Sequence, residues 1–248
     1  MIPFGGSAGS ENAAPFPPAL TAIAFDLDAT LYYQRRLRVW MLAKLLSGFI
    51  AHPLQQLQVV KFLTAYRVAH ENLRGDEPDE SIDKKQLRLA CAQAGIAVPL
   101  GQAILAKWFF EIPCTILSKT LRPGGDVVLS VLRSFGYRLG LYSDYPAVEK
   151  LKALELLQFF DAVVSSQDGE VNALKPNPKG LLVCLEKLGA QKENSLYVGD
   201  RADVDGECAK EAGVHSVIIG SGAAPPGSTL IGDLRDLIPL VQGRATSR

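Results

Sequence analysis

The sequence predicts an α/β fold: a doubly wound parallel sheet of Rossmann-like type, with a helical segment inserted after the first strand. Three observations predict it. Short apolar runs of strand length alternate with helical patterns after residue 136. Residues 32–122 hold four segments that look helical and no clear strand. Several of the apolar runs end on an acid or a hydroxyl residue, as strands do when a site lies beyond their carboxyl ends.

The first strand is the run Leu20–Phe25, which ends on Asp26-Leu27-Asp28-Ala29-Thr30. Residues two apart in an extended chain share a side, so Asp26 and Asp28 lean into one pocket while Phe25 and Leu27 pack elsewhere. Helical patterns follow at Arg36–Phe49, Leu54–Asn72, Ile82–Ala94 and Leu100–Glu111. Pro123-Gly124-Gly125 marks the return to the sheet. Beyond it come a helix over Asp126–Ser134, a strand over Tyr137–Ser143, a helix over Ala147–Leu157 and a strand over Ala162–Ser166. Pro178–Leu188 opens on proline and stops at Gly189, the usual helix punctuation. Strands at Ser195–Gly199 and His215–Gly220 flank a helix over Ala202–Ala212. Strands alternating with helices imply a parallel sheet covered on both faces. The organisation expected is a flexible tail over 1–18, a core domain from 19–31 and 123–248, and a helical domain over 32–122.

Composition narrows the function classes. The formal net charge is zero, which gives no global case for a nucleic-acid or membrane partner. The charge is unevenly spread: residues 32–122 hold 13 Lys+Arg against 7 Asp+Glu, and the remainder holds 13 against 19. Cys91, Cys114, Cys184 and Cys208 lack metal-ligand or redox spacing and read as free thiols of a reducing compartment. The N-terminal residues lack a basic segment followed by an apolar one, and no run is long enough to cross a membrane. The expected location is cytoplasmic. Oligomeric state is not legible, because an exposed helix and a dimer helix look alike in sequence.

Three further stations follow the Asp26/Asp28 pair. Ser143 ends the second strand, Lys175 sits in Lys175-Pro176-Asn177-Pro178 ahead of a helix, and Gly199-Asp200 closes a later strand, with Asp203 and Asp205 just beyond. All occupy the carboxyl side of a parallel sheet and can converge. Two carboxylates 4 Å apart repel by about 4 kcal/mol at an effective dielectric near 20. Asp200 worsens that repulsion, so a cation must be part of the site. Crowding should also raise the proton affinity of one of the acids.

In this order the stations resemble the four motifs of the haloacid dehalogenase-like (HAD) hydrolase superfamily, over residues 20 to about 240. The DxDxT element is Asp26, Asp28 and Thr30; the hydroxyl station is Ser143; the lysine station is Lys175; the GDxxxxD element is Gly199, Asp200 and Asp205. The insert at 32–122 matches the position of a C1-type cap, and the 144–174 interval is too short for the alternative cap position. The resemblance implies a Mg²⁺-dependent phosphatase acting on a small phosphorylated metabolite. Asp26 would be the nucleophile that forms an aspartyl-phosphate, and Asp28 the general acid and then base. Ser143 and Lys175 would bind the phosphoryl group. Mg²⁺ would be bound by the Asp26 carboxylate, the Asp28 backbone carbonyl and the Asp200 carboxylate, with Asp205 rather than Asp203 supporting from behind. Thr30 would close the loop through its hydroxyl, and specificity would come from the cap. Ala29 and Asp144 depart from the residues common at their positions. His52, His70 and His215 show no partner pattern and read as inert, and Arg201 as a surface or structural ion pair. A phosphomutase on the same scaffold and a non-catalytic phosphate-binding regulatory protein are the alternatives. A dehalogenase needs no metal, which sets Asp28 and Asp200 against it.

Overall fold

The computed structural model describes residues 16–76, 80–222 and 226–245 of the 248. Residues 1–15 of the expected tail lie outside them, while Phe16 packs edge-on against the His215 ring. Six strands form one sheet: β1 (Ala22–Phe25), β2 (Arg138–Ser143), β3 (Ala162–Ser165), β4 (Ser195–Gly199), β5 (His215–Ile219) and β6 (Ser228–Ile231). Their order is β3-β2-β1-β4-β5-β6, and each neighbouring pair is parallel. The order reverses direction at β1, which lies between β2 and β4. A crevice therefore opens beyond its carboxyl end.

Alternation along the strands builds two cores. Ile23, Phe25, Leu139, Leu141, Leu196 and Val198 face one side, against α6 (Gly125–Ser134), α7 (Val148–Ala153) and α10 (Leu237–Ala245). Ala22, Ala24, Tyr142 and Tyr197 face the other, against α8 (Lys179–Lys187) and α9 (Glu207–Ala212). Both faces are covered, so the strands are buried on both sides and read as continuous apolar runs.

The segment between β1 and α6 is helical among its described residues. It comprises α1 (Gln34–Ala51), α2 (Pro53–Asn72), α3 (Ile82–Ala94), α4 (Val98–Leu105) and α5 (Ile112–Cys114). Phe62, Tyr66, Ala90, Cys91 and Trp108 form its own small core, joined from the sheet side by Tyr145. The chain leaves and re-enters the sheet side by side. Tyr32 and Leu121 form an isolated antiparallel bridge, Tyr33 N donates to Thr120 O at 2.8 Å, and Arg122 N donates to Leu31 O at 3.0 Å. Gly124, at φ 73°, makes the left-handed turn that starts α6.

Several elements differ from the sequence expectation. The helix expected over Leu100–Glu111 starts at Val98 and widens into a π turn over Ala106–Glu111 before α5. Pro113 explains the widening: its ring cannot sit against an ordinary i−4 carbonyl, and it has no N–H to donate. The helix over Ala147–Leu157 is cut to Val148–Ala153, because Glu155 turns left-handed at φ 59°. The helix over Ala202–Ala212 opens as a π turn, Ala202–Gly206, with the Arg201 carbonyl accepting from Val204, Asp205 and Gly206. β6 and α10 are additional to the elements read from sequence. No single helix among the described residues is long and apolar enough to cross a membrane.

Candidate active site

The backbone of β1 carries Asp26 to the crevice. Its N–H still donates to Val198 O at 2.8 Å, so Asp26 is held by the last rung between β1 and β4. The chain then turns sharply. Leu31 N donates to Leu27 O at 3.1 Å, and Ala29 takes a left-handed conformation at φ 69°. The Arg122 guanidinium donates to the Ala29 carbonyl at 2.7 Å. Thr30 Oγ1 reaches back to Asp26 Oδ2 at 3.0 Å, so the hydroxyl closes the loop on the acid itself. Leu27 points into the apolar core, leaving Asp26 and Asp28 to the cavity.

Lys175 arrives from the loop after β3 and is almost fully buried. Its Nζ lies 2.5 Å from Asp26 Oδ1 and 2.9 Å from Asp205 Oδ1. Asp200 leaves the end of β4 beside them, and carboxylate oxygens of Asp26, Asp200 and Asp205 all lie within 4.8 Å of one another. Asp205 has little freedom in this cluster. It accepts from Lys175 Nζ, from Tyr197 OH at 3.1 Å, and from the backbone N–H groups of Asp200 and Arg201 at 3.3 and 3.1 Å. Gly199 makes room for it, since a Cβ there would stand 2.5 Å from the Asp205 side chain. Asp203 points away and pairs with Arg201 at 2.7 Å. Ser143 ends β2 next to β1 and is buried at the cavity wall, its Oγ accepting from Tyr145 N at 3.3 Å.

Electrostatics separate the two leading acids. Burial pushes the Asp26 carboxyl well above its ordinary pKa, Lys175 opposes this, and Asp205, Asp200 and Asp28 add to it. Burial likewise raises Asp28, but Lys150 and Tyr32 outweigh it and leave the carboxyl below its ordinary value. Lys150 Nζ lies 2.8 and 3.0 Å from the two Asp28 oxygens, and Tyr32 OH donates to the same group. The raised proton affinity expected from crowding therefore falls on Asp26 and not on the candidate acid Asp28. Asp200 is pushed up to about 6 by burial and by the Asp205 charge. Burial lowers the Lys175 ammonium, but Asp205 and Asp26 together hold it well above its ordinary pKa.

A second ionic layer sits behind the lysine. Asp144 accepts from Arg74 at 2.9 Å, Ser166 Oγ at 2.9 Å and the Lys175 backbone N–H at 3.1 Å, and His70 Nε2 lies 3.2 Å away. Arg74 also donates to the Lys175 carbonyl at 2.6 Å. Against burial, His70, Lys175 and Arg74 hold the Asp144 carboxyl far below the usual carboxylate range. This layer ties α2 to the loop that carries Lys175. The whole arrangement floors a cavity of about 580 Å³ whose roof is built from α1 and α2.

The structure brings Asp26, Asp28, Ser143, Lys175, Asp200 and Asp205 to one cavity although they span most of the chain. The profile of the haloacid dehalogenase-like hydrolases matches residues 104–219. The glyceraldehyde 3-phosphate phosphatase of Pyrococcus abyssi is 30% identical over 203 residues, covering 80% of each chain. The chain belongs to the haloacid dehalogenase-like hydrolases. The phosphoglycolate phosphatase of Rhodospirillum rubrum is 29% identical over 210 residues, 81% of this chain and 80% of that one. A 2-haloacid dehalogenase from Pseudomonas syringae pv. Tomato DC3000 shares the fold, with a TM-score of 0.66 at 21% identity, over 92% of this chain and 100% of that one.

Sequence reasoning missed four groups of this haloacid dehalogenase-like hydrolase. Lys150 stands among Glu149 and Lys152, a pattern that reads as a solvated helix face, and only its burial beside Asp28 reveals it. Asp144 reads as a turn acid but anchors the second layer. His70 reads as inert but is buried against Asp144 and stacks on Tyr145 at 4.6 Å. Arg74 follows His70 by one helical turn, and that i, i+4 spacing is the one signal that could have paired them.

Proposed function

We propose that this chain is a Mg²⁺-dependent phosphatase that hydrolyses the phosphomonoester of a small metabolite through an aspartyl-phosphate on Asp26. The observation that carries this reading is the buried Asp26 carboxylate, held by Lys175 and Thr30 at the floor of a cavity and crowded by Asp200. The phosphatases related to it in sequence support the reaction type and a small substrate.

The donor set fits Mg²⁺: clustered hard carboxylate oxygens at the end of a strand are what that ion takes. The Asp26 and Asp200 carboxylates, with the Asp28 backbone carbonyl, would hold it, and Asp205 would support from behind through its bond to Lys175. When bound, Mg²⁺ offsets the repulsion among the acids and between them and an incoming phosphate.

The chain's own residues then do the following. Lys175 and Ser143 bind phosphoryl oxygens and orient the phosphorus in front of Asp26. One Asp26 oxygen forms a bond to phosphorus as the bond to the leaving oxygen breaks. Asp28, ionised beside Lys150, relays a proton from the Lys150 ammonium to that oxygen. In the second step Asp28 takes a proton from the attacking water, the phosphate leaves Asp26, and Lys150 regains its proton. The helices over 32–122 form the cap above a core of 19–31 and 123–248. The antiparallel bridge at Tyr32 and Leu121 ties together its two connecting chains, and its closure excludes water from the reacting centre.

The test is phosphate release from a panel of phosphorylated metabolites and from p-nitrophenyl phosphate, with Mg²⁺ and with EDTA. Turnover should vanish on chelation, and Asp26→Asn should lose about 10³-fold or more, the scale expected when a covalent nucleophile is removed. Equal turnover by Asp26→Asn, or turnover indifferent to EDTA, contradicts the mechanism.

A further inference from the structure

The cavity has two chemically different ends. Its floor holds the carboxylate cluster. Its roof comes from α1 and α2, which are acid-free up to His70: residues 29–70 contain six Lys+Arg and no Asp or Glu, and Glu71 near the end of α2 is paired with Arg74 and Arg201. Six Lys and Arg side chains line the cavity. Four are neutralised within the fold: Lys175 by Asp26 and Asp205, Lys150 by Asp28, Arg74 by Asp144, and Arg201 by Asp203. The other two are Arg38 and Arg67. Among the described residues, no carboxylate lies within 4.0 Å of either guanidinium. Arg38 donates only to a neutral group, Gln34 Oε1, at 2.8 Å. Both residues are exposed, and partial desolvation of the Arg67 guanidinium, and after it the Arg38 charge, hold it below its ordinary pKa. Two cations that repel each other across a substrate cavity are stabilised by an anion placed between them.

We propose that Arg38 and Arg67 form a subsite for a second anionic group, a carboxylate or a second phosphate, on the organic part of the substrate. The proposal rests on the phosphatase reading and names the class of ester that the site takes. Helix geometry sets the separation. Arg67, His70 and Glu71 follow one another along one face of α2, and Arg74 lies in the turn just past its end. At 1.5 Å per residue, Arg67 stands roughly 7–8 Å along the axis from Asn72, the last residue of the helix, and Arg74 lies beyond that end. Arg74 is fixed beside Lys175 at the phosphoryl end. The second anion therefore lies several bonds from the scissile phosphate, and Leu63, Met41 and Trp108, which line the same cavity, offer apolar wall to a carbon chain. Planar guanidinium groups match carboxylate and phosphate oxygens two at a time, which an ammonium does not.

The experiment compares three series of phosphomonoesters of increasing chain length. Each carries at its far end a carboxylate, a second phosphate, or a neutral primary amide. For the wild type, kcat/KM should favour the anionic members over the amide of equal length by about tenfold or more, the scale of one or two charge-assisted hydrogen bonds. The preferred length and terminus identify the native spacing and whether carboxylate or phosphate is the second group. Arg67→Met and Arg38→Met should raise KM for the anionic esters and leave the amides near their wild-type values, and Arg67→Lys should recover part of the preference. Equal turnover of anionic and neutral esters by the wild type overturns the subsite while leaving the phosphatase reading intact. So does a loss in Arg67→Met that falls equally on both. No phosphate release from any ester, p-nitrophenyl phosphate included, overturns the phosphatase reading and the subsite with it.

Discussion

Asp144 shows how a single side chain joins the helical insert to the chemistry. It takes hydrogen bonds from α2 and from the Lys175 backbone at once, so its charge positions the lysine that touches Asp26. Its folded-state pKa is depressed, so its contribution to stability is complete above the unfolded carboxyl value near 4 and is lost as pH falls below it. Asp144→Asn keeps the shape but leaves Arg74 and His70 facing a neutral amide, which should cost about 2–4 kcal/mol near neutral pH. Thermal unfolding of both proteins across pH should show that gap shrinking between pH 5 and pH 3. A gap that is constant with pH contradicts the ionic role. None of this was legible in sequence, because His70 and Asp144 are 74 residues apart and each alone has an ordinary reading. Lys150 was hidden for a related reason: burial is a property of the fold, and its neighbours Glu149 and Lys152 are exposed. The acids Asp26, Asp28 and Asp200 were legible because a carboxylate directly after a buried strand has few structural uses.

At the scale of elements, the reading succeeded where the local signal and the tertiary context agree. β1, β2, β4 and β5 are apolar runs buried on both faces, and α1 to α3 are runs of 13 to 20 residues without strand-like alternation. It failed where backbone chemistry overrides periodicity, as in the π turn ahead of Pro113 and the shortened α7. β6 was missed because Ser228–Ile231 is a short, half-polar edge strand with no apolar run to announce it. The loop after β1 holds a further case. Ala29 adopts a conformation that L-residues resist at about 1–2 kcal/mol, and the Arg122 contact and the Thr30 bond hold it there. Ala29→Gly removes that resistance but frees the unfolded chain by about 0.4–1 kcal/mol. The net should be a small gain, up to about 1 kcal/mol in denaturant unfolding, with the position of Asp26 unchanged. A loss of stability would mean that the Ala29 methyl packs in a way its strain conceals.

For the molecule as a whole, the site works against the stability of the fold that holds it. The two cores cover both faces of the sheet, yet the crevice at β1 gathers Asp26, Asp200 and Asp205 around one lysine. The metal-free protein must bear their repulsion. Asp200 measures it: its carboxyl is raised to about 6, above the unfolded value near 4, so the destabilisation it causes grows as pH rises from about 4 and is complete above about 6. In EDTA at pH 7, Asp200→Asn should therefore be more stable than the wild type, by on the order of 1–2 kcal/mol once water access to this partly exposed group is allowed for. At pH 5 the wild-type group is mostly protonated and that advantage should fall. Adding Mg²⁺ at pH 7 should reverse the ranking. A ligand that binds the folded state alone stabilises by RT ln(1 + [L]/Kd), so with the proposed Mg²⁺ site the wild-type Tm should climb with Mg²⁺ concentration while Asp200→Asn, lacking one of the proposed ligands, should respond weakly. The crossing of the two Tm curves is the informative result, because a purely structural acid would give a destabilised variant in EDTA as well as in Mg²⁺. Asp200 would then be an acid that the fold tolerates at a cost in stability because the bound ion reclaims it, a trade found where function and packing compete for the same position.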